Sequence, residues 1–232
     1  MESGALSFGQ VAAAYDAIRP TYPREAIVWA LGPQPRRVVD LGAGTGILTR
    51  VLLAAGHEVV PVEPDERMRA RISAPAPLAG SAEDIPLPDG SVDAVLAGQA
   101  YHWFDKPRAH PEIARVLRSG GVFAPIWNVR DESVPWLAEL TRVASLGGRS
   151  RNDAAGLDEL GDAFTAVERA DFRHTVTHTP DSLVALVRSR SYYLTATPEQ
   201  RVALEAGVRD LVAGRETIEL PYVTHTYRTV KR

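Results

Sequence analysis

Short apolar runs that stop at an acid or a glycine alternate, through the first half of the chain, with segments that begin as helices. Val38 and Val39 suit a buried parallel strand whose carboxyl end carries Asp40. Gly42, Gly44 and Gly46 then form a turn into a helix that begins near Ile47. Glycine fits there because it reaches positive φ and has no Cβ to hold a ligand off the backbone. The run HEVVPVEP is extended and apolar and ends at Glu63, just before Pro64; Pro61 inside it is awkward for a central strand. Pro86, Pro88 and Asp89–Gly90 make a turn, and Ser91 to Ala97 reads as another buried strand. In RVLRSGGVFAPIWN the pattern predicts a helix end, a stop at Gly120–Gly121 and a further strand. In an open α/β sheet of this kind, ligands bind in the crevice outside the carboxyl ends of the strands.

The flanks read differently. Val11 to Ile18 forms a short helix, and Pro20 turns Arg19 away from helical geometry. Residues 1–25 are a lid segment that can bring Tyr15, Arg19 and Tyr22 toward a bound ligand; the alternative is that its aromatics only pack it onto the domain. Beyond Trp127 the pattern turns helical and more polar, through Pro135–Trp136 to about Val143, and residues 147–156 are a loop. DFRHTVTH reads as an edge strand. Helices start at Pro180 and Pro198, the second with a capping box from Thr197 and Gln200, and ELPYVTHTYRTV ends the chain as a strand.

Composition narrows the class. A chain of 232 residues with 45% hydrophobic content suits one α/β domain with a modest insertion. No apolar run is long enough to cross a bilayer and no secretory pattern opens the chain, so a cytoplasmic protein without a membrane partner is expected. With no cysteine there are neither disulfides nor thiolate metal sites. The basic residues are almost all Arg, but 26 of them meet 29 acids for a net charge of −3, which implies no general basic surface and favours a small acceptor over nucleic acid. Oligomeric state is open between monomer and homodimer.

Asp40-x-Gly42-x-Gly44-x-Gly46 at a strand end resembles motif I of the class I S-adenosylmethionine-dependent methyltransferases. Nicotinamide and flavin enzymes use a related turn. Their fingerprint spaces its last glycine one residue further on, where this chain has Ile47, and has an apolar residue or glycine where it has Asp40. The start FGQVAAAYDAIRPTYP and the segment QAYHWF are most similar to the small-molecule subgroup that includes trans-aconitate methyltransferase-like proteins. The resemblance implies an α/β fold: a Rossmann-like, mostly parallel seven-stranded sheet with helices on both faces, an antiparallel last strand and a helical cap insertion. Residues 80 to 104 would supply its third and fourth strands, 26–130 the cofactor-binding core, and 131–232 the cap helices and closing strands. The absence of an Asn-Pro-Pro-Tyr-type motif after the fourth strand argues against methylation of base amino groups.

The implied cofactor is S-adenosylmethionine, released as S-adenosylhomocysteine. Its site would comprise Asp40, Gly42, Ala43, Gly44 and Gly46; Glu63, whose two oxygens match a ribose diol; Ala82 and Glu83 at the adenine; Gln99 and Trp103 at the methionine half; and Tyr15 and Arg19 from the lid. Tyr22, Trp127, Asn128 and Tyr192 are candidates for the acceptor pocket. His102 is the candidate general base, with a structural histidine as the alternative. Arg188, Arg190, Tyr192 and Tyr193 could bind a carboxylated or aromatic acceptor, or simply be exposed helix residues. His174 and His178 share a strand face by parity and His225 lies in a possible partner strand, so three imidazoles could converge, but no carboxylate has diagnostic spacing with them, and no metal is expected. The rival readings are an NAD(P)-dependent oxidoreductase and a catalytically silent donor-binding module.

Overall fold

The computed structural model describes residues 18–144 and 155–232. Tyr15, nearly all of the helix expected at 11–18 and most of the loop expected at 147–156 lie outside the described residues. Helix α1 (Arg24–Leu31) precedes β1 (Arg37–Leu41), and α2 (Ile47–Ala54) leads into β2 (Glu58–Val62). The short α3 (Glu66–Arg69), β3 (Val92–Gly98), a 3-10 turn over Tyr101–Trp103, α4 (Lys106–Val116) and β4 (Leu117–Arg130) follow. Next come α5 (Pro135–Ala144), β5 (Glu168–His178), α6 (Pro180–Arg188), α7 (Ser191–Leu194), α8 (Pro198–Leu211) and β6 (Ile218–Val230).

The sheet runs β2-β1-β3-β4-β6-β5. β1 pairs in parallel with both β2 and β3, and β3 with β4. The order therefore reverses beside β1, which puts a crevice at the carboxyl ends of β1 and β3. β6 runs antiparallel to β4, since Gly120 N–H reaches Lys231 O while Asp131 N–H reaches Pro221 O. The central strands are buried almost throughout, which explains their unbroken apolar runs. β5 lies at the sheet edge as expected.

Three expectations are corrected. Six strands form among the described residues instead of seven, because the segment between α3 and β3 makes only isolated bridges, Val62 to Leu78 and Ser81 to Asp84. Pro75, Pro77 and Pro86 bring no N–H and break any ladder there. Pro61 is tolerated inside β2 because its nitrogen faces away from β1: Glu58 N–H donates inward to Arg36 O, whereas Glu63 N–H donates outward to Leu78 O. Gly120–Gly121 does not stop a helix. α4 already ends at Val116, and the glycines, Gly120 at φ 75°, form an irregularity inside β4.

Two compact units make up the chain. One comprises Thr21–Asn128, Asn152–Phe172 and Thr224–Arg232. There Ile27 and Leu31 of α1 and Leu48 and Leu52 of α2 pack with Val38, Val59, Leu96 and Ile126 of the sheet. The other comprises Met1–Pro20, Val129–Arg151 and Arg173–Val223, and its core joins Leu137 and Leu140 of α5, Leu183 and Val187 of α6, Val208 of α8 and Tyr222 of β6.

Candidate functional site

The turn after β1 is held by its backbone. Gly42, Gly44 and Gly46 have φ of 71°, 58° and 82°. The amides of Gly42 and Ala43 both donate to Val62 O at the end of β2, at 2.9 and 3.1 Å, and Gly44 N–H donates to Glu63 Oε2 at 2.8 Å. A Cβ on Gly42 would lie 2.7 Å from the Ala100 Cβ, whereas one on Gly44 would meet nothing within 4 Å. Gly42 is thus a packing requirement. Gly44 is a conformational one, and it leaves an open backbone face above the strand ends.

Two carboxylates close the floor. Asp40 is only 1% exposed; its Oδ2 accepts from Thr49 Oγ1 at 2.6 Å, while its Oδ1 has no hydrogen-bond partner. Burial pushes the Asp40 carboxyl up to about 7, against the Thr49 hydrogen bond, and the charge on Glu63 pushes the same way. Glu63 is 7% exposed and accepts at Oε1 from Asp65 N–H at 2.9 Å. Burial raises its pKa, and the amides of Asp65 and Gly44 hold it down. Each Glu63 oxygen has one acceptor site filled and a second left for a hydroxyl donor. Such a floor attracts a ligand with positive charge and hydroxyl groups, and it repels a pyrophosphate.

The third wall comes from the chain around β3. Ala82 is buried in the Ser81–Asp84 turn, and Glu83 accepts at Oε1 from Asp105 N–H at 2.8 Å, which ties that turn to the start of α4. Gln99, just after β3, has a left-handed conformation, φ 56°, rare for a side chain larger than glycine. Its Nε2 donates to Asn128 O at 2.9 Å. Fully buried Tyr101 anchors the following turn: its hydroxyl meets His110 Nε2 at 2.9 Å, and its ring lies edge-on to Phe104 and Trp127. Trp103 is 39% exposed and its ring centroid is 4.9 Å from that of His102. His102 Nδ1 accepts from Trp127 Nε1 at 3.4 Å. Because indole is a donor only, a neutral His102 then carries its proton on Nε2.

Other predicted residues have structural engagements. Tyr22 is buried in the core with its hydroxyl over Gly98, where a Cβ would lie 2.7 Å away. Trp127 is buried, and Asn128 donates to Thr21 O at 3.0 Å and accepts from Thr224 Oγ1 at 2.6 Å. In the second unit, Arg19 donates to Ser189 O at 2.8 Å and Ser189 Oγ at 3.2 Å, and the Tyr192 hydroxyl is buried without a partner. The histidine trio is dispersed: His174 stacks on Tyr222, His178 meets Ser182 Oγ and His225 meets Asp171 Oδ1. No group of three metal-ligating side chains exists among the described residues. Nor is any helix among them long and apolar enough to cross a membrane. Sequence reasoning missed Thr49, nine residues from the carboxylate it serves. It also missed Asp65, whose place before a short helix is a readable N-cap signal, made good by bonds to the Arg67 and Met68 amides.

A family profile described as "Methyltransferase domain" matches residues 39–124. The chain is 45% identical over 229 residues to an uncharacterized methyltransferase of Mycobacterium tuberculosis, covering 94% of this chain and 93% of that one. It is 36% identical over 135 residues to a malonyl-[acyl-carrier protein] O-methyltransferase of Methylococcus capsulatus, covering 51% and 49%. A solved structure from Anaeromyxobacter dehalogenans, described as a type II methyltransferase, shares the fold with a TM-score of 0.68 at 24% identity, over 92% of this chain and 97% of that one.

Proposed function

Because the chain belongs to the class I S-adenosylmethionine-dependent methyltransferases, we propose that it methylates an oxygen of a small-molecule acceptor, and that this oxygen is a carboxylate's. The cofactor is S-adenosylmethionine, which supplies an electrophilic methyl group on a sulfonium and leaves as a neutral thioether.

One observation carries the donor assignment: the two buried carboxylates, Asp40 and Glu63, face the glycine turn, with Gly44 N–H bonded to Glu63. The donor has two positive centres, an ammonium and a sulfonium, and a ribose diol. Glu63 would accept from the diol and the Oδ1 of Asp40 would gain a donor or a positive neighbour. A nicotinamide dinucleotide would bring its pyrophosphate onto the same floor, so the electrostatics disfavour the oxidoreductase reading.

The setting of His102 favours a carboxylate over a hydroxyl as acceptor. A hydroxyl needs a base, and the sole lone pair of neutral His102 is turned toward Trp127. A carboxylate is already ionised at neutral pH and needs none. Alignment of nucleophile, methyl and sulfur then supplies the rate, with His102 and Trp103 as positioning residues. The O-methyltransferase name of the Methylococcus relative supports oxygen as the methylated atom.

The test is calorimetry of S-adenosylhomocysteine against NADH, followed by methyl transfer to matched carboxylic acids and alcohols. Binding of the thioether and turnover of acids is expected. Tight NADH binding without S-adenosylhomocysteine binding, or turnover of alcohols alone, refutes the reading.

A further inference from the structure

Among the described residues, Gln99 is the one non-glycine with a positive φ, and it stands where the chain leaves β3 for the strand-end crevice. The left-handed region crowds a Cβ against the backbone, so a side chain stays there only where its surroundings fix it. Two tethers do so. Gln99 N–H donates to Ile126 O at 2.9 Å, and Gln99 Nε2 donates to Asn128 O at 2.9 Å. Backbone and side chain are thus both held by β4.

Asn128 is fixed in its turn. It is buried, its side-chain amide donates to Thr21 O at 3.0 Å, and its Oδ1 accepts from buried Thr224 Oγ1 at 2.6 Å. The next residue after Thr21 bears on the same strand end: a Cβ on Gly98 would lie 2.7 Å from the Tyr22 hydroxyl. On the other side of Gln99, Ala100 packs on the glycine turn, since a Cβ on Gly42 would lie 2.7 Å from the Ala100 Cβ. The strained residue is therefore enclosed between β4 and the turn after β1. All of these residues belong to one compact unit.

The sheet order β2-β1-β3 sets Glu63, Asp40 and Gln99 in that sequence along the strand ends. A donor with its ribose diol on Glu63 and its ammonium drawn toward Asp40 extends its amino-acid half toward Gln99. Glycine would reach the same φ without strain. What Gln99 adds over glycine is a side chain that locks the backbone to Asn128, so that the chain is already in place when the donor arrives.

We propose that Asn128 is a positioning residue for the methyl donor: acting through Gln99, it holds the chain after β3 in the left-handed conformation that receives the donor's amino-acid half. This rests on the reading of the crevice as the donor site. Because Asn128 acts through another residue, its removal should be felt by one half of the donor and not by the whole molecule.

The test compares two ligands on the full chain by calorimetry. S-adenosylhomocysteine carries the amino-acid half; 5′-methylthioadenosine keeps the adenine, ribose and thioether and lacks it. Gln99→Met removes the amide tether at nearly constant size. Asn128→Asp keeps the acceptor for Thr224 and turns a carboxylate oxygen onto Thr21 O. Each should weaken S-adenosylhomocysteine binding about three- to tenfold, the worth of one hydrogen bond, and leave 5′-methylthioadenosine binding unchanged. In a Gln99→Gly background, where glycine reaches the left-handed region unaided, Asn128→Asp should weaken S-adenosylhomocysteine binding less than it does in the wild-type chain. Equal losses for both ligands would mean a general loosening of the fold and would overturn the proposal, as would unchanged S-adenosylhomocysteine affinity in Gln99→Met or strict additivity of Asn128→Asp with Gln99→Gly. Those results leave the donor site itself standing, whereas failure of the wild-type chain to bind either ligand would remove the donor reading and this inference with it.

Discussion

Replacing Asp40 by Asn tests the electrostatics of the proposed donor site without any acceptor. In the folded chain burial moves the Asp40 carboxyl from an ordinary 3.8 up to about 7. A raised acid pKa means that the folded state binds more protons than the unfolded state between those values, so stability falls as pH rises through that window. From pH 5 to 8 the loss is about 3 kcal/mol, the part of the window above pH 5 at ~1.4 kcal/mol per pH unit. In a chain of this size that corresponds to a Tm difference of roughly 6–12 °C. Asn cannot ionise, so Asp40→Asn should lack this slope, whatever its amide costs at the orphaned Oδ1 position. His57, His110, His174 and His178, whose pKa values burial lowers, give a slope of opposite sign below pH 6.5. Both proteins share that contribution, and it cancels in the comparison. The assay is thermal melting of both chains from pH 5 to 8 without ligand. Parallel profiles would mean that Asp40 is not desolvated in the fold, and its burial would not contribute to the pH dependence of stability.

Glu63→Ala should weaken S-adenosylhomocysteine binding about ten- to a hundredfold, the worth of a charge-assisted hydrogen bond; unchanged affinity by calorimetry removes Glu63 from the site. The two turn glycines should part company. Gly42→Ala drives a methyl group into Ala100 and should lower the Tm more than Gly44→Ala, whose Cβ enters open space and costs about 1 kcal/mol of backbone strain. Gly44→Ala should instead weaken donor binding, and equal effects on Tm from both would refute the division of roles. His102→Ala should reduce kcat on an acid acceptor less than about tenfold, with no histidine limb in the pH profile; a fall of a hundredfold or more is the signature of a general base.

The first strand and its glycine turn were legible because their signals are local. Asp40 and the three glycines sit within seven residues, and each constraint, a strand end, a positive φ or a close backbone approach, belongs to its own position in the chain. The helices at Pro180 and Pro198 announced themselves in the same way, and the Thr197–Gln200 capping box forms as the spacing predicts. Where position depended on partners, residue type misled. A third strand looked plausible until its prolines had to find a ladder, and Gly120–Gly121 resembled a helix stop although it bends a strand. Tyr22 and Asn128, candidates for the acceptor pocket, have structural engagements that only the folded chain reveals: Tyr22 packs over Gly98 and Asn128 bonds to Thr21 and Thr224.

By itself, then, the chain determined the fold class and the cofactor, and pointed to the strand-end crevice proposed to hold it, since periodicity and turn chemistry are written into consecutive residues. Only the tertiary structure decided which carboxyl is stripped of water and which nitrogen of His102 accepts from Trp127. Those properties arise between residues that meet only in the fold, such as Trp127 with His102 or Thr49 with Asp40, and desolvation and pairing have no value until the chain has closed around them.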